Sequence, residues 1–559
     1  MPETALLPLA PIRQAVLRIG AAVILLTAGP VAIGAPAIRF DGLGDFSRPI
    51  TTDSPEAQDF FDQGMNLLFG FNHGAAIRAF KEAARLDPGC AMAHWGIALA
   101  NGPHINLPLM FPPMVEEAWA ELQLALKYAP QATPVEQALI EALSHRYAYP
   151  QPEDRTALDL AYADAMRKVW EAYPDDADVG AFYAEALMDL RPWDQWTPEG
   201  LPEPGTDEIL ATLDAVLELN VNHPFANHLY IHAVEASPNP ERALPMADRL
   251  GGLQPGLAHN VHMPSHVYIR VGRWQDAVDM NVKAVAADDR RRAAAGPPQG
   301  FIILYAAHNR HMLAYAAMMT GQSELAISEI REMVDEIPAE FFEEWATVAE
   351  GFAAMPDEVL VRFGRWDDIL EQSDEFPDYM ALTKAFRHAA RGIALAAKGD
   401  PAAARIEQLK YVERAGLVPE EETFGNNKAT AILAVITPML EGEILIREGH
   451  LDKGLAALRD AVAAEDALAY DEPPGWILPV RHSLGATLMA NGRYKEAEQV
   501  YRDDLERLPS NGWSLFGLAE SLFQQDRRTE SAEVMAEFSH VWAKADVAIE
   551  SSCFCQPGI

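Results

Sequence analysis

Residues 57–90, AQDFFDQGMNLLFGFNHGAAIRAFKEAARLDPGC, place Gly64 at position 8, Ala76 at 20, Phe80 at 24, Ala83 at 27 and Pro88 at 32 of a 34-residue unit. The same register returns at 478–511, with Gly485 at 8, Ala497 at 20, Tyr501 at 24 and Pro509 at 32. This spacing restricts the chain to paired helices stacked on one another. Small residues at 8 and 20 let the two helices of a pair approach face to face. The aromatic at 24 fills the groove, and proline at 32 ends the second helix. Looser copies carry the short turn between paired helices: Val271-Gly272-Arg273-Trp274, Thr320-Gly321-Gln322, Phe363-Gly364-Arg365-Trp366, Lys398-Gly399-Asp400 and Glu448-Gly449-His450. Ala277 and Ala284 follow Gly272 as positions 20 and 27 would. No stretch sustains period-two alternation, so almost no strand is expected.

These are the small and apolar positions of a tetratricopeptide repeat. Two clean units and about seven degenerate ones predict an all-α, tetratricopeptide-repeat-like α-solenoid with irregular Pro-rich insertions. One insertion, Gly102–Met114 (GPHINLPLMFPPM), replaces a tight turn, and the other, Leu190–Thr206, contains RPWDQWTPEGLPEPG. Both carry aromatic or apolar residues able to cover a pocket, and long loops inside repeat arrays are either such covers or padding. The expected organisation is a signal peptide at 1–37, N-terminal repeats with insertions at 38–205, His-rich central repeats at 206–340, C-terminal repeats at 341–545 and a short tail at 546–559.

Arg13 and Arg18 precede the apolar run IGAAVILLTAGPVAIG and then Ala35-Pro36-Ala37. A positive start, an apolar core and an A-x-A site read as a secretory signal peptide. Gly29 and Pro30 break the run short of the roughly 20 apolar residues a spanning helix needs. The expectation is a periplasmic or secreted protein with no stable membrane insertion after cleavage. The 44 basic and 82 acidic side chains give a net charge of -38, which argues against a nucleic-acid partner, since binding phosphates needs clustered Lys and Arg. Arg290-Arg291-Arg292, after Asp288-Asp289, reads as a solvated loop. Of three cysteines, Cys90 reads as a buried apolar group; Cys553 and Cys555 form a C-x-C in the tail, open to a disulfide or a soft metal.

The chemistry-bearing residues are histidines. Six of the chain's 16 form three close pairs between residues 228 and 311: His228 and His232 in NHLYIHAVEAS, His262 and His266 in HNVHMPSHVYIR, and His308 and His311 in YAAHNRH. With Glu235 they recur at i, i+3 or i+4, which puts side chains on one helical face. The expected helices are 225–236, 260–271 and 302–319, each followed by a partner at 240–252, 274–287 and 323–335. The three leading helices should line the concave face, with axes on the order of 8–10 Å apart, so that neighbours reach one ion. Pro264 weakens the second helix, leaving His266 safer than His262. Neutral imidazole suits zinc and copper best, with iron or manganese as further options. The candidate ligands are His228, His232, His262, His266, His308 and Glu235; Glu235 is also the candidate general base. His259, His223, His94, His104 and His73 are candidates for supporting the ligands. No HExxH, cysteine-based zinc pattern, G-x-S-x-G elbow or phosphate-binding glycine loop is present.

The blocks GMNLLFGFNHGAAIRAF, CAMAHWGIALANGP, HLYIHAVEASPNPERAL, HMPSHVYIRVGRW and AAHNRHML resemble a family of bacterial tetratricopeptide-repeat proteins, exported or cytoplasmic, that carry HxxxH and HMPSH blocks. The resemblance spans roughly residues 50–340 and implies the repeat fold; it supplies no reaction.

Three functions remain open on the residues alone. The first is an exported repeat protein binding a transition metal on its concave face, as a hydrolase or oxidase of a small molecule or peptide. The second is an interaction scaffold whose acidic groove takes a basic peptide or protein partner. The third is a metal store or chaperone.

Overall fold

The computed structural model describes residues 38–373 and 375–555, so the expected signal peptide lies outside the described residues. Helices follow one another in antiparallel pairs from Pro55–Phe69 and His73–Leu86 to Gly512–Gln524 and Arg528–Val541. Among the described residues, extended structure is a two-residue antiparallel ribbon, Thr423–Phe424 against Asn427–Lys428, plus two isolated bridges. The all-α expectation is therefore met.

The pairing follows from local signals. Gly272, Gly321, Gly364, Gly399, Gly449 and Gly492 all have positive φ, between 61° and 84°. Each sits two residues past the last residue of a helix, where the next N–H reaches back five residues, as Gln322 N–H does to the Ala317 carbonyl. That is a left-handed helix terminator, and glycine adopts it without steric cost. Between the helices of a clean repeat, a Cβ on Gly64 would overlap the Phe80 ring, and so would one on Gly96. Tyr501 is enclosed in the same way by Gly485 and Gly517. Position 8 is thus small because it carries the aromatic of position 24, and a second glycine on the following helix closes the other side.

The described chain forms two compact units. The first comprises the described residues up to Val267 together with Val282–Ile302; the second comprises Tyr268–Asn281 together with the described chain from Ile303. The boundary between these two units falls inside the His-rich block. A repeat packs only on its neighbours, so composition does not mark where packing changes. Helix Trp274–Ala295 extends beyond the expected 287, and Arg290-Arg291-Arg292 is its last turn but one rather than a loop. Arginine and alanine are good helix formers, and Gly296, at φ 84°, ends the run.

In the second unit, helix Ala429–Arg447 is long and apolar enough to cross a membrane, yet 56% of that stretch is buried, which is how a core helix packs. The tail to residue 555 is also part of this unit. Asp546 accepts from the Ser323 and Glu324 N–H groups, Ser552 bonds Tyr501, and the Phe554 ring lies 5.9 Å from Trp513. Cys553 and Cys555 are joined as a disulfide, and Cys90 is buried and free.

Beside Cys555, Glu443 is 1% exposed; burial pushes its carboxyl up to about 7 against the pull of Arg447 and Ser483. Unfolded, it ionises near 4.5. Between those values the folded chain holds the extra proton, so this group's contribution falls as pH rises from about 4.5 to about 7 and is level above. The melting temperature of wild type relative to Glu443→Gln is expected to drop between about pH 4.5 and about pH 7. A pH-independent difference would show Glu443 ionised in the folded chain throughout.

Candidate metal centre

Helix Pro224–Val234 is buried along its whole length, so the faces carrying His228 and His232 both point into protein. Its start is set by His223, whose Nδ1 accepts from the Ala226 N–H at 3.2 Å while Nε2 meets Asp178 at 2.8 Å. Pro264 does break the second helix, into Ala258–His262 and Pro264–Arg270. The break is one residue wide, and Met263 keeps helical torsions. His262 therefore stays a turn away from His266, and their Nε2 atoms lie 2.7 Å apart.

His228 and His232 also face each other, Nε2 to Nε2, at 3.2 Å. His228 Nδ1 donates to the Phe69 carbonyl at 2.7 Å. His232 Nδ1 donates to Glu235 Oε1 at 2.9 Å, and His266 Nδ1 donates to Glu235 Oε2 at 2.7 Å. One carboxylate thus orients an imidazole from each helix. The His259 ring lies 4.9 Å from that of His228. Ligand-type atoms of His228, His232 and His259 all fall within 4.8 Å of one another, as do those of His232, Glu235 and His266.

The tautomers follow from the partners. A backbone carbonyl only accepts, so His228 carries its proton on Nδ1. An ionised Glu235 also only accepts, which puts the His232 proton on Nδ1. A neutral imidazole has one N–H, so both facing Nε2 atoms are lone pairs. Burial pulls both rings well below the usual histidine range; for His228 the neighbouring His232 and His266 add to this, and for His232 the neighbouring His266 does. Two lone pairs at 3.2 Å in a buried site repel, and a shared cation removes the repulsion. Ligands about 2.0–2.1 Å from a tetrahedral zinc stand roughly 3.3 Å apart.

Of the sequence candidates, His228, His232, His262, His266 and Glu235 come together in the first unit. Glu235 lies between the two helices that carry His232 and His266. It is 1% exposed, and its two oxygens accept from the Nδ1 atoms of His232 and His266, so it orients both rings. His308, with His311, lies on helix Ile302–Met319 of the second unit. His259, expected only in support, sits within the cluster; the spacing His259-x-x-His262-x-x-x-His266 is the signal that marks it. His94 pairs with Glu121 at 2.6 Å, and His73 stacks on His104 at 4.0 Å.

Of two aromatic residues beside the cluster, Phe71 carried no functional signal in the sequence, and Trp193 carried one only as part of an insertion able to cover a pocket. Four non-glycine residues have positive φ among those described, and the two aromatic ones are Phe71 (53°) and Trp193 (61°). Such a backbone costs roughly 1–3 kcal/mol. Phe71 occupies the turn slot that glycine fills in other repeats, with Asn72 N–H reaching back to the Leu67 carbonyl. Its ring lies 4.4 Å from His228, 5.6 Å from His259 and 6.0 Å from His232. The Trp193 ring meets His232 edge to face at 5.3 Å.

The helix pairs, left-handed turns and glycine–aromatic–glycine sandwiches define an all-α protein of tetratricopeptide-like repeats. No protein-family model matches the chain, and no curated protein matches it. Solved structures similar to it include the APC/C hetero-tetramer Cut9–Hcn1, at 12% identity over 92% of this chain and 76% of that one, with TM-score 0.29. Yeast Tom70 shows 13% identity over 87% and 92%, with TM-score 0.28. A human IFIT1 dimer with PPP-AAAA shows 13% over 88% and 96%, with TM-score 0.31.

Proposed function

We propose that the first unit holds a transition-metal ion between His228 Nε2 and His232 Nε2, with His259 as a third ligand. The observation that carries this reading is the pair of facing lone pairs at 3.2 Å, each fixed by an acceptor on the far side of its ring. An all-imidazole set favours zinc or copper over iron or manganese. Glu235 keeps His232 and His266 in the tautomer that turns Nε2 inward. The pair His262 and His266 offers a second position, tied to the first through that carboxylate. The segment at 1–37 supports an exported protein, which would meet its metal outside the cytoplasm.

When bound, such an ion would supply Lewis-acid or redox chemistry for hydrolysis or oxidation of a small molecule or peptide. The burial of the cluster favours retention over turnover: every histidine in it is at most 5% exposed. A metal store or carrier therefore fits the closed arrangement better than an enzyme. An interaction scaffold without metal leaves the facing lone pairs unexplained. Elemental analysis of the untagged, exported chain is the test. About one equivalent of zinc or copper supports the reading. A metal-free chain that takes up none of zinc, copper, iron and manganese overturns it.

A further inference from the structure

The two Pro-rich insertions meet over the cluster. Each is closed by a single bridge, His104 with Leu107 in one and Trp196 with Pro202 in the other. Trp193 joins them, donating its indole N–H to Asn106 Oδ1 at 3.1 Å. Trp196 anchors the second insertion by donating to the Ala233 carbonyl of the helix that carries His228 and His232. Phe71 and Trp193 then flank His232 from different segments. Phe71 is 2% exposed and forms a fixed wall, whereas Trp193 is only half-buried.

We propose that Trp193 is the gate to the histidine cluster, controlling access for a hydrated metal ion or another solute of similar size. A bulky ring held in a left-handed backbone persists only where its surroundings hold it, and such outliers gather at ligand clamps and switches. Here the holding contacts are the His232 ring and one hydrogen bond to a loop. Breaking that bond frees the indole to swing into solvent without disturbing a helix. The wall side offers no comparable route, because Phe71 is packed between His228 and His104, whose rings lie 4.4 and 5.4 Å away. As a route for an ion the gate rests on the metal reading; as a route to His232 it does not.

The test uses metal-free full-length protein and diethyl pyrocarbonate, with imidazole modification followed by mass spectrometry. Trp193→Gly suits the backbone, since glycine tolerates φ 61°. It is expected to speed modification of His232 about tenfold or more, as removal of a gating side chain should. His482, buried in the second unit against Asp504, should be unchanged. Trp193→Phe keeps a ring and loses the bond to Asn106, and should give a smaller rise. No rise at His232 in either variant overturns the gate. If His482 also speeds up in Trp193→Gly, that variant has unfolded and Trp193→Phe decides by the same criterion. A second arm loads zinc and times its release to a chelator, which the glycine variant should accelerate. Wild type that takes up none of zinc, copper, iron and manganese sinks the metal reading, and the modification rates still decide the gate.

Discussion

Changing His228 and His232 together to alanine is expected to take the metal content from about one equivalent per chain to background while the helical fold survives. Both Nε2 atoms that face the proposed ion are then gone, and the remaining His259 cannot hold it alone. Folding should weaken by a few kcal/mol, since two buried rings leave cavities and the Phe69 carbonyl loses its donor. Glu235→Gln should act more mildly. Its amide can still accept one Nδ1–H but not two, and loss of such an orienting partner typically lowers affinity about 10–100-fold. His94→Ala serves as the control, because His94 pairs with Glu121 outside the cluster. Elemental analysis and circular dichroism on the same samples check all three. Undiminished metal in the double variant would place the ion elsewhere in the chain.

Two glycine-to-alanine changes should destabilise the second unit by different mechanisms and unequal amounts. Gly485 has helical torsions, and on an exposed helix alanine would be better there by about 1 kcal/mol. In the fold, a Cβ at this position overlaps the Tyr501 ring, and the ring cannot retreat because Gly517 closes its other face. Overpacking of this kind costs about 1–3 kcal/mol, and here the upper end is expected. Gly399 is the opposite case: nothing lies within 4 Å of a Cβ there, but φ is 84°. Its change should cost about 1 kcal/mol, from backbone strain alone. Denaturant titration measures both. The double change Gly485→Ala with Tyr501→Leu should lose less than the sum of the two single changes, because the clash is shared. Strict additivity would show that the ring is not pinned between the glycines.

The sequence alone determined the helix pairs, the turns between them and the near absence of strands. Each of these depends on short-range physics: a 3.6-residue apolar period, a left-handed glycine, a proline that ends a helix. It also placed His228, His232, His262 and His266 one turn apart, because spacing along a helix is a local property. Tertiary structure alone decided which nitrogens face each other. The partner that fixes His228 is a carbonyl 159 residues away. Glu235 became a clamp only once His266 packed opposite it, and His259 joined when its short helix docked beside His228. The backbones of Phe71 and Trp193 violate local preference, so no local rule could announce them; packing around the cluster holds them there. Direction of a ring nitrogen, and of a strained aromatic, depends on which distant helices pack together, and one-dimensional periodicity does not encode that.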